Sequence, residues 1–452
     1  MLSPMEPMPA SHDELLEVVQ RQAALIVELR ETIARLEARV RDLEDGSAPP
    51  RRMPGHKREQ VHAEQPARPR RKRAEHQARR RSEPTARVMH AIEACPDCCL
   101  ALAGGSVKRS REVLEIAPSP VTITEHVYLE RCCPGCGKRW TPRVALEGVV
   151  LGRSRLGVGL VSLIATLREE ARLPIASIQT YLASIHGLRL SVGGIVGALE
   201  QVVRAGQTTL AGFWAEIRAS AVLHADETGW REAGRNQYLW SFSTPTTRAY
   251  VHGGRGKGVF DAALGIGTAE EAAGILVSDF YAVYDHYPGL QQKCWVHLWR
   301  DIHELLRQHP DDAVLSAWAA AVAAIVARAN ACASPDEHMR QQLRQQVMTE
   351  LGALCQPYQH DATAPQARVC RRIAKYLHAL FVFVLEPGVP ADNNAAERSL
   401  RHAVISRKIS GGTRSADGTA TKVALASLFG TWRLRGDNPY LACRQLLSSP
   451  QA

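Results

Sequence analysis

Three carboxylates sit in distant, distinctive stretches of the chain. They are Asp226 in His224-Ala-Asp-Glu-Thr-Gly-Trp-Arg231, Asp279 in Val277-Ser-Asp-Phe-Tyr-Ala-Val-Tyr284, and Glu397 in Asp392-Asn-Asn-Ala-Ala-Glu-Arg-Ser-Leu-Arg401. Hard oxygen donors of this kind suit Mg²⁺ or Mn²⁺, which keep several waters when bound. Two such ions held by shared carboxylates activate a water or a 3′-hydroxyl and stabilise the leaving oxygen of a phosphodiester. Glu227, beside Asp226, is the rival for the first metal position. Each acid also has a plainer reading. A strand-end Asp often caps the next helix, and a Glu in a first helical turn complements the helix dipole.

A second group is built on sulfur. Of 11 Cys, six fall between Cys95 and Cys136. Cys95-Pro-Asp-Cys98 and Cys133-Pro-Gly-Cys136 are two C-x2-C knuckles, able to present four thiolates tetrahedrally to a structural Zn²⁺. Cys99 and Cys132 adjoin them and leave the ligand choice open. Cys294-Trp-Val-His297 supplies only two donors and reads as packing and hydrogen bonding around the acidic site.

The elements that must position these residues follow from periodicity. AVLHA before Asp226 and GILVS before Asp279 read as strands with acids at their C-terminal ends, where open α/β sheets place functional crevices. YLWSFST and RAYVHG read as a hairpin, and QKCWVH as a short strand leading into a helix. Asp392, Asn393 and Asn394 are N-cap types at the head of the Glu397 helix. REVLEIAP and VTITEHVYLERC between the knuckles read as strands of a zinc ribbon. Ile175, Ile178, Leu182 and Ile185 have helical spacing, Gly187 breaks it, and Ser191 starts another helix, the outline of a helix-turn-helix or an ordinary helical hairpin.

Val19, Ile26, Ile33 and Val40 repeat every seven residues, as do Leu15, Gln22, Leu29, Leu36 and Leu43. That pattern predicts a parallel coiled coil, hence a homodimer or higher oligomer. The expected organisation is multidomain α/β. It comprises a coiled coil (13–45), a basic linker (46–87), a zinc ribbon (88–145), a helical segment (150–215), a catalytic core (216–436) with a helical insertion at about 310–385, and a C-terminal tail (437–452). Net charge is +10 over 452 residues, which favours a polyanionic partner, nucleic acid first. No membrane span or secretory signal is expected.

Together the motifs, with Arg407-Lys408, resemble bacterial insertion-sequence transposases of the family numbered sixty-six. The resemblance implies a DDE catalytic domain with an RNase H-like core, in which Asp226 and Asp279 bind the metal ions and Glu397 completes the site. It also implies DNA ends and target DNA as substrates, accessory proteins encoded by the same element, and a place in the bacterial cytoplasm on the nucleoid. Cys99 stands where the family usually has Gly. Arg398, Arg401, Arg407, Lys408 and Arg414 are candidate phosphate contacts. The rival expectations are a DNA-binding regulator without catalysis and an RNase H-like nuclease that does not join ends.

Overall fold

The computed structural model describes residues 87–104, 106–107, 121–142 and 146–449, with Val27, Arg30, Glu31 and Ile33 further upstream. Those four are helical and exposed. The rest of the predicted coiled coil, the linker up to residue 86 and the REVLEIAP strand lie outside the described residues. The chain divides into two units, residues 1–114 and 115–452, so the two Cys pairs fall in different units.

Only the end of VTITEHVYLERC is a strand. β1 (Arg131–Cys132) pairs antiparallel with β2 (Arg139–Trp140) around the Cys133–Cys136 turn. Residues 121–130 carry the β pattern without regular strand structure. Alternation gives a segment strand propensity, but a strand needs a ladder partner as well.

The core is a mixed five-stranded sheet. Its strands are β3 (Val222–Glu232), β4 (Arg235–Ser243), β5 (Arg248–Gly253), β6 (Ile275–Ser278) and β7 (Gln291–Lys293), in the order β5-β4-β3-β6-β7. β3, β4 and β5 are antiparallel, whereas β6 and β7 run parallel to β3. β3 is thus used twice. It pairs with β6 only through His224, yet stays on β4 as far as Glu232. Asp226 therefore lies inside β3, not at its end, because the antiparallel partner carries the strand on. The hairpin turn places Ala233 and Gly234 at positive φ, which lets two residues join twisted strands.

Helices cover both faces. On one, α4 (Gln207–Arg218) and α5 (Lys257–Leu264) bury Ile217, Phe260 and Leu264 against Trp240 and Phe242. On the other, α11 (Asn394–Ser410) and α12 (Ala416–Arg435) bury Leu400, Ala403 and Val423 against Trp230, Leu239 and Tyr250. Residues 158–205 form α1 (Val158–Glu169), α2 (Ile175–His186) and α3 (Val192–Ala205). Gly187 ends α2 in the left-handed conformation and the Ser191 hydroxyl caps α3 by accepting from Gly194 N.

These helices share a core with α12 and with α13 (Pro439–Ser448). The predicted C-terminal tail is thus a docked helix. Asn438 caps it, Pro439 starts it, and Cys443 and Leu447 are buried. Apolar residues at that spacing in a chain end bury their stripe when a groove is available.

Between β7 and α11 come α6 (Trp295–Gln308), α7 (Ala313–Asn330), α8 (Glu337–Cys355), α9 (Ala367–Tyr376) and a short α10 (Val382–Leu385). They enclose their own core, from Leu298 and Ile302 through Trp318 and Val322 to Leu351 and Ile373. Among the described helices α7 alone is long and apolar enough to cross a membrane. Its Leu315, Trp318, Val322, Ile325 and Val326 pack into that core instead.

Candidate active site

Strand alternation sorts the residues of His224–Arg231 by face. Asp226 stands opposite Ser241, and Glu227 opposite Trp240. Ser241 Oγ bonds Ser399 Oγ of α11, so Asp226 is on the α11 face. Trp240 lies in the aromatic core with Phe260 and Tyr284, so Glu227 points the other way. There Glu227 is held on both oxygens. Oε1 accepts from Arg255 Nε (3.2 Å) and Nη2 (2.8 Å), and Oε2 accepts from the Tyr284 hydroxyl (2.6 Å). A carboxylate bound in this way is a poor rival to Asp226 for a metal.

Asp279 follows β6 directly. The parallel register sets His224 opposite Val277, and Asp226 and Asp279 each lie two residues further on. They emerge side by side from neighbouring strands, about 4.8 Å apart in a sheet. Asp279 Oδ1 accepts from Tyr281 N at 2.9 Å, which turns the chain into the 3-10 turn Ala282–His286. Beneath it Lys293, fully buried, lies 3.2 Å from Ser278 Oγ and 3.3 Å from Asp285 Oδ1.

Glu397 is delivered by the head of α11, and Asn393 holds that head in place. Asn393 occupies the N-cap position, but its side chain makes no cap bond. Fully buried, it reaches back to β3 instead. Nδ2 donates to Ala225 O at 2.8 Å and Oδ1 is 3.0 Å from His224 Nδ1. Its backbone N–H donates to Cys294 Sγ at 3.1 Å, and Cys294 N in turn donates to Ser278 O at 2.9 Å. Asn393 thus ties the Glu397 helix to the residues just before Asp226 and Asp279. Asp392 does the local capping, accepting from Asn394 N at 2.9 Å. The Glu397 carboxylate leans toward α6, with Oε1 3.7 Å from His297 Nε2 and 3.6 Å from Arg300 Nη2. Cys294 thus contacts the head of α11, and His297 the Glu397 carboxylate.

The rest of the β3 motif anchors the loop after α11. Arg407 donates to Gly229 O and lies 3.4 Å from Thr228 Oγ1. A Cβ on Gly229 would sit 3.3 Å from Arg407 Nη1, so the glycine leaves room for the guanidinium. Trp230 Nε1 donates to Thr413 Oγ1 at 3.0 Å. Gly412, at φ +114°, packs where a Cβ would lie 2.1 Å from Arg231 O.

The electrostatics centre on Asp226. Burial first, then the charges of Asp279, Glu227 and Glu397, push its carboxyl up to about 8 from an ordinary 3.8. An acid in that position keeps its proton near neutral pH unless a cation joins the group. Among the described residues no group of three His, Cys, Asp or Glu side chains is gathered closely enough to hold a metal ion. The acids come from three elements, and the charges of Asp279 and Glu397 both reach Asp226; their donor set is all oxygen.

The family described as "Transposase IS66 family" matches residues 153–421, which is more than half of the chain and includes all three acids. The chain belongs to that family. No curated protein matches it.

In this transposase the candidate phosphate contacts divide. Arg398, Arg401, Lys408 and Arg414 are exposed. Arg407 is turned inward onto β3 and acts as a fastener. Sequence reasoning missed Arg255, Tyr284 and the inward role of Asn393. Arg255 lies in Gly253-Gly-Arg-Gly-Lys-Gly258, a run whose glycine density was the available signal.

Each Cys pair has the local form of a metal knuckle. In the first, Cys99 N donates to Cys95 O at 2.8 Å; in the second, Gly137 N donates to Cys133 O at 2.9 Å. Backbone N–H groups of Cys98 and Asp97 hold the Cys95 thiol below its ordinary range, and those of Cys136 and Gly135 do the same for Cys133. Cys99 has φ +59° and Gly137 +70°. Cys99 therefore fills the left-handed turn position that the second knuckle gives to glycine. The Cys132 thiol instead faces Gly137 O, at 3.4 Å.

Proposed function

We propose that this transposase is a DDE enzyme that hydrolyses a phosphodiester at each element end and then joins the freed 3′-hydroxyl to target DNA. The observation that carries the reading is that Asp226 and Asp279 lie two residues past a paired register position, that Asn393 ties the Glu397 helix to β3, and that burial and the charges of Asp279, Glu227 and Glu397 push Asp226 up to about 8. The strand order, with three antiparallel strands followed by two parallel ones, supports an RNase H-like core. Asp226, Asp279 and Glu397 would hold Mg²⁺ or Mn²⁺. When bound, the ions would activate the attacking oxygen and neutralise the leaving one.

The chain's own residues set the geometry. The sheet fixes Asp226 and Asp279 in register. Asn393 and His224 lock the Glu397 helix against them. His297 and Arg300 hold the Glu397 carboxylate between α6 and α11. Arg398, Arg401, Lys408 and Arg414 offer exposed charge to phosphates. In-line displacement at such a site needs no covalent link to the protein.

Cys95 with Cys98, and Cys133 with Cys136, are the proposed knuckles for structural Zn²⁺, because Cys99 serves the turn and Cys132 faces a carbonyl. The 13–45 coil would join protomers so that two DNA ends are held together, with accessory proteins of the same element as further partners.

The test uses duplexes carrying the ends of the encoding element, with Mg²⁺ or Mn²⁺. Metal-dependent nicking and joined products are expected from wild type, and neither from Asp226→Asn or Glu397→Gln with DNA binding kept. Nicking without joining would favour a plain nuclease. Binding without nicking, unchanged in the variants, would contradict the proposal.

A further inference from the structure

The run Gly253–Gly258 is tied to Glu227, the neighbour of Asp226, and to Tyr281, two residues after Asp279, and two of its four glycines have no use within the protein. Gly253 has an internal reason, since a Cβ there would stand 2.7 Å from Val259 Cγ2. Gly256 has one too, since it is the N-cap of α5, where glycine suits the backbone better than alanine. Gly254 and Gly258 have none. A Cβ on either would meet nothing within 4 Å, and neither has positive φ. Both are exposed. Glycine at such positions lowers stability without easing any packing or backbone strain. It is explained by something outside the chain that approaches the backbone closely.

The side chains between these glycines state what that something is. Lys257 is exposed. Arg255 is held flat and aimed. Its guanidinium lies 4.4 Å from the Tyr281 ring centroid and 5.2 Å from that of Tyr238. Nε and Nη2 are both taken by Glu227, while Nη1 finds no acceptor among the described residues. The Tyr281 hydroxyl donates to Arg255 O at 2.5 Å, which fastens the loop to the segment after Asp279. Half of the Arg255 side chain remains exposed. Aromatic flanks and a carboxylate fork pre-organise a planar cation with one edge left over, a form suited to a phosphate oxygen.

Resting on the catalytic reading of Asp226 and Asp279, we infer that the Gly253–Gly258 loop is a phosphodiester clamp. It holds the backbone of the DNA strand that enters the site, through Arg255 Nη1 and Lys257, with the bare glycines letting the strand lie against the chain. The contact is to phosphates and so is independent of base sequence. Glu227 is a positioning residue for Arg255.

The test is a salt titration of binding to a mixed-sequence duplex in EDTA, run on the full chain beside the nicking assay. Lys257→Ala is expected to lower affinity about three- to tenfold and to make the log–log salt slope shallower by about one. The charge-matched Arg255→Gln/Glu227→Gln pair is expected to do the same. Gly254→Ala adds one methyl in open space at a position without positive φ. It is expected not to lower the melting temperature and to raise KM for DNA several-fold with kcat kept. Wild-type salt slope, affinity and KM in all three variants would overturn the clamp, whatever the nicking assay shows. Failure of wild type to nick, with the slopes altered as expected, would instead count against the catalytic reading alone.

Discussion

Asp226→Asn should make the metal-free protein more stable at alkaline pH. In the fold the Asp226 carboxyl titrates near 8 against 3.8 in the ordinary state. A folded value raised above the unfolded one gives stability that is whole below about pH 4 and is lost as pH climbs through about 8. At about 1.4 kcal/mol per pH unit, the full loss has an upper bound of roughly 6 kcal/mol. Relaxation and water entry around a half-buried group reduce this, so an effect of about 2–3 kcal/mol is expected. For a domain of this size each kcal/mol moves the midpoint by about 2–4 °C. Wild type and Asp226→Asn would be melted in EDTA from pH 4 to pH 9. The curves should be closest at pH 4 and separate by several degrees by pH 9, with the variant higher. Added Mg²⁺ should raise wild type at pH 9 and leave the variant little changed. A separation that does not depend on pH, or equal stabilisation of both proteins by Mg²⁺, would refute the reasoning.

Other expectations follow from single contacts. Asn393→Ala strips partners from His224 Nδ1 and Ala225 O; denaturant titration should show a loss of about 2–5 kcal/mol, and kcat should fall more than DNA affinity. Lys422→Met strands the fully buried Glu169, whose two oxygens lie 2.8 and 2.6 Å from Lys422 Nζ. The loss should be about 3–5 kcal/mol, and most of it should return in Glu169→Gln/Lys422→Met. Cys99→Gly should keep stoichiometric zinc by metal analysis and gain about 1 kcal/mol at its left-handed position, whereas Cys95→Ser should lose the metal.

What the sequence made legible was local. Ile175, Ile178 and Leu182 mark a helix by spacing alone, and Gly187 and Ser191 mark its end and the next start with chemistry confined to a few residues. The strand ends were less legible because partners decide them. Nothing within AVLHADETGWRE announces that β6 stops at His224 while β4 continues to Glu232. Side-chain direction was harder still. Asn393 has the residue type of a cap but bonds β3, and Arg407 has the type of a phosphate contact but fills the space left by Gly229. Both outcomes depend on segments more than 150 residues away. Arg255 was overlooked because its meaning comes from Glu227, Tyr238 and Tyr281, which the fold alone assembles. The acids themselves were legible through their surrounding motifs, and the structure adds the shared register of Asp226 with Asp279 and the Asn393 tether of Glu397.

The central claim is that these three carboxylates form one cation site. Mn²⁺ binding followed by electron paramagnetic resonance tests it most directly, on wild type and on Asp226→Asn, Asp279→Asn and Glu397→Gln. The account predicts Mn²⁺ bound by wild type, displaced by Mg²⁺, and weakened at least tenfold in every variant, about 1.4 kcal/mol each. Wild-type Mn²⁺ affinity retained in Asp226→Asn and Asp279→Asn would contradict it.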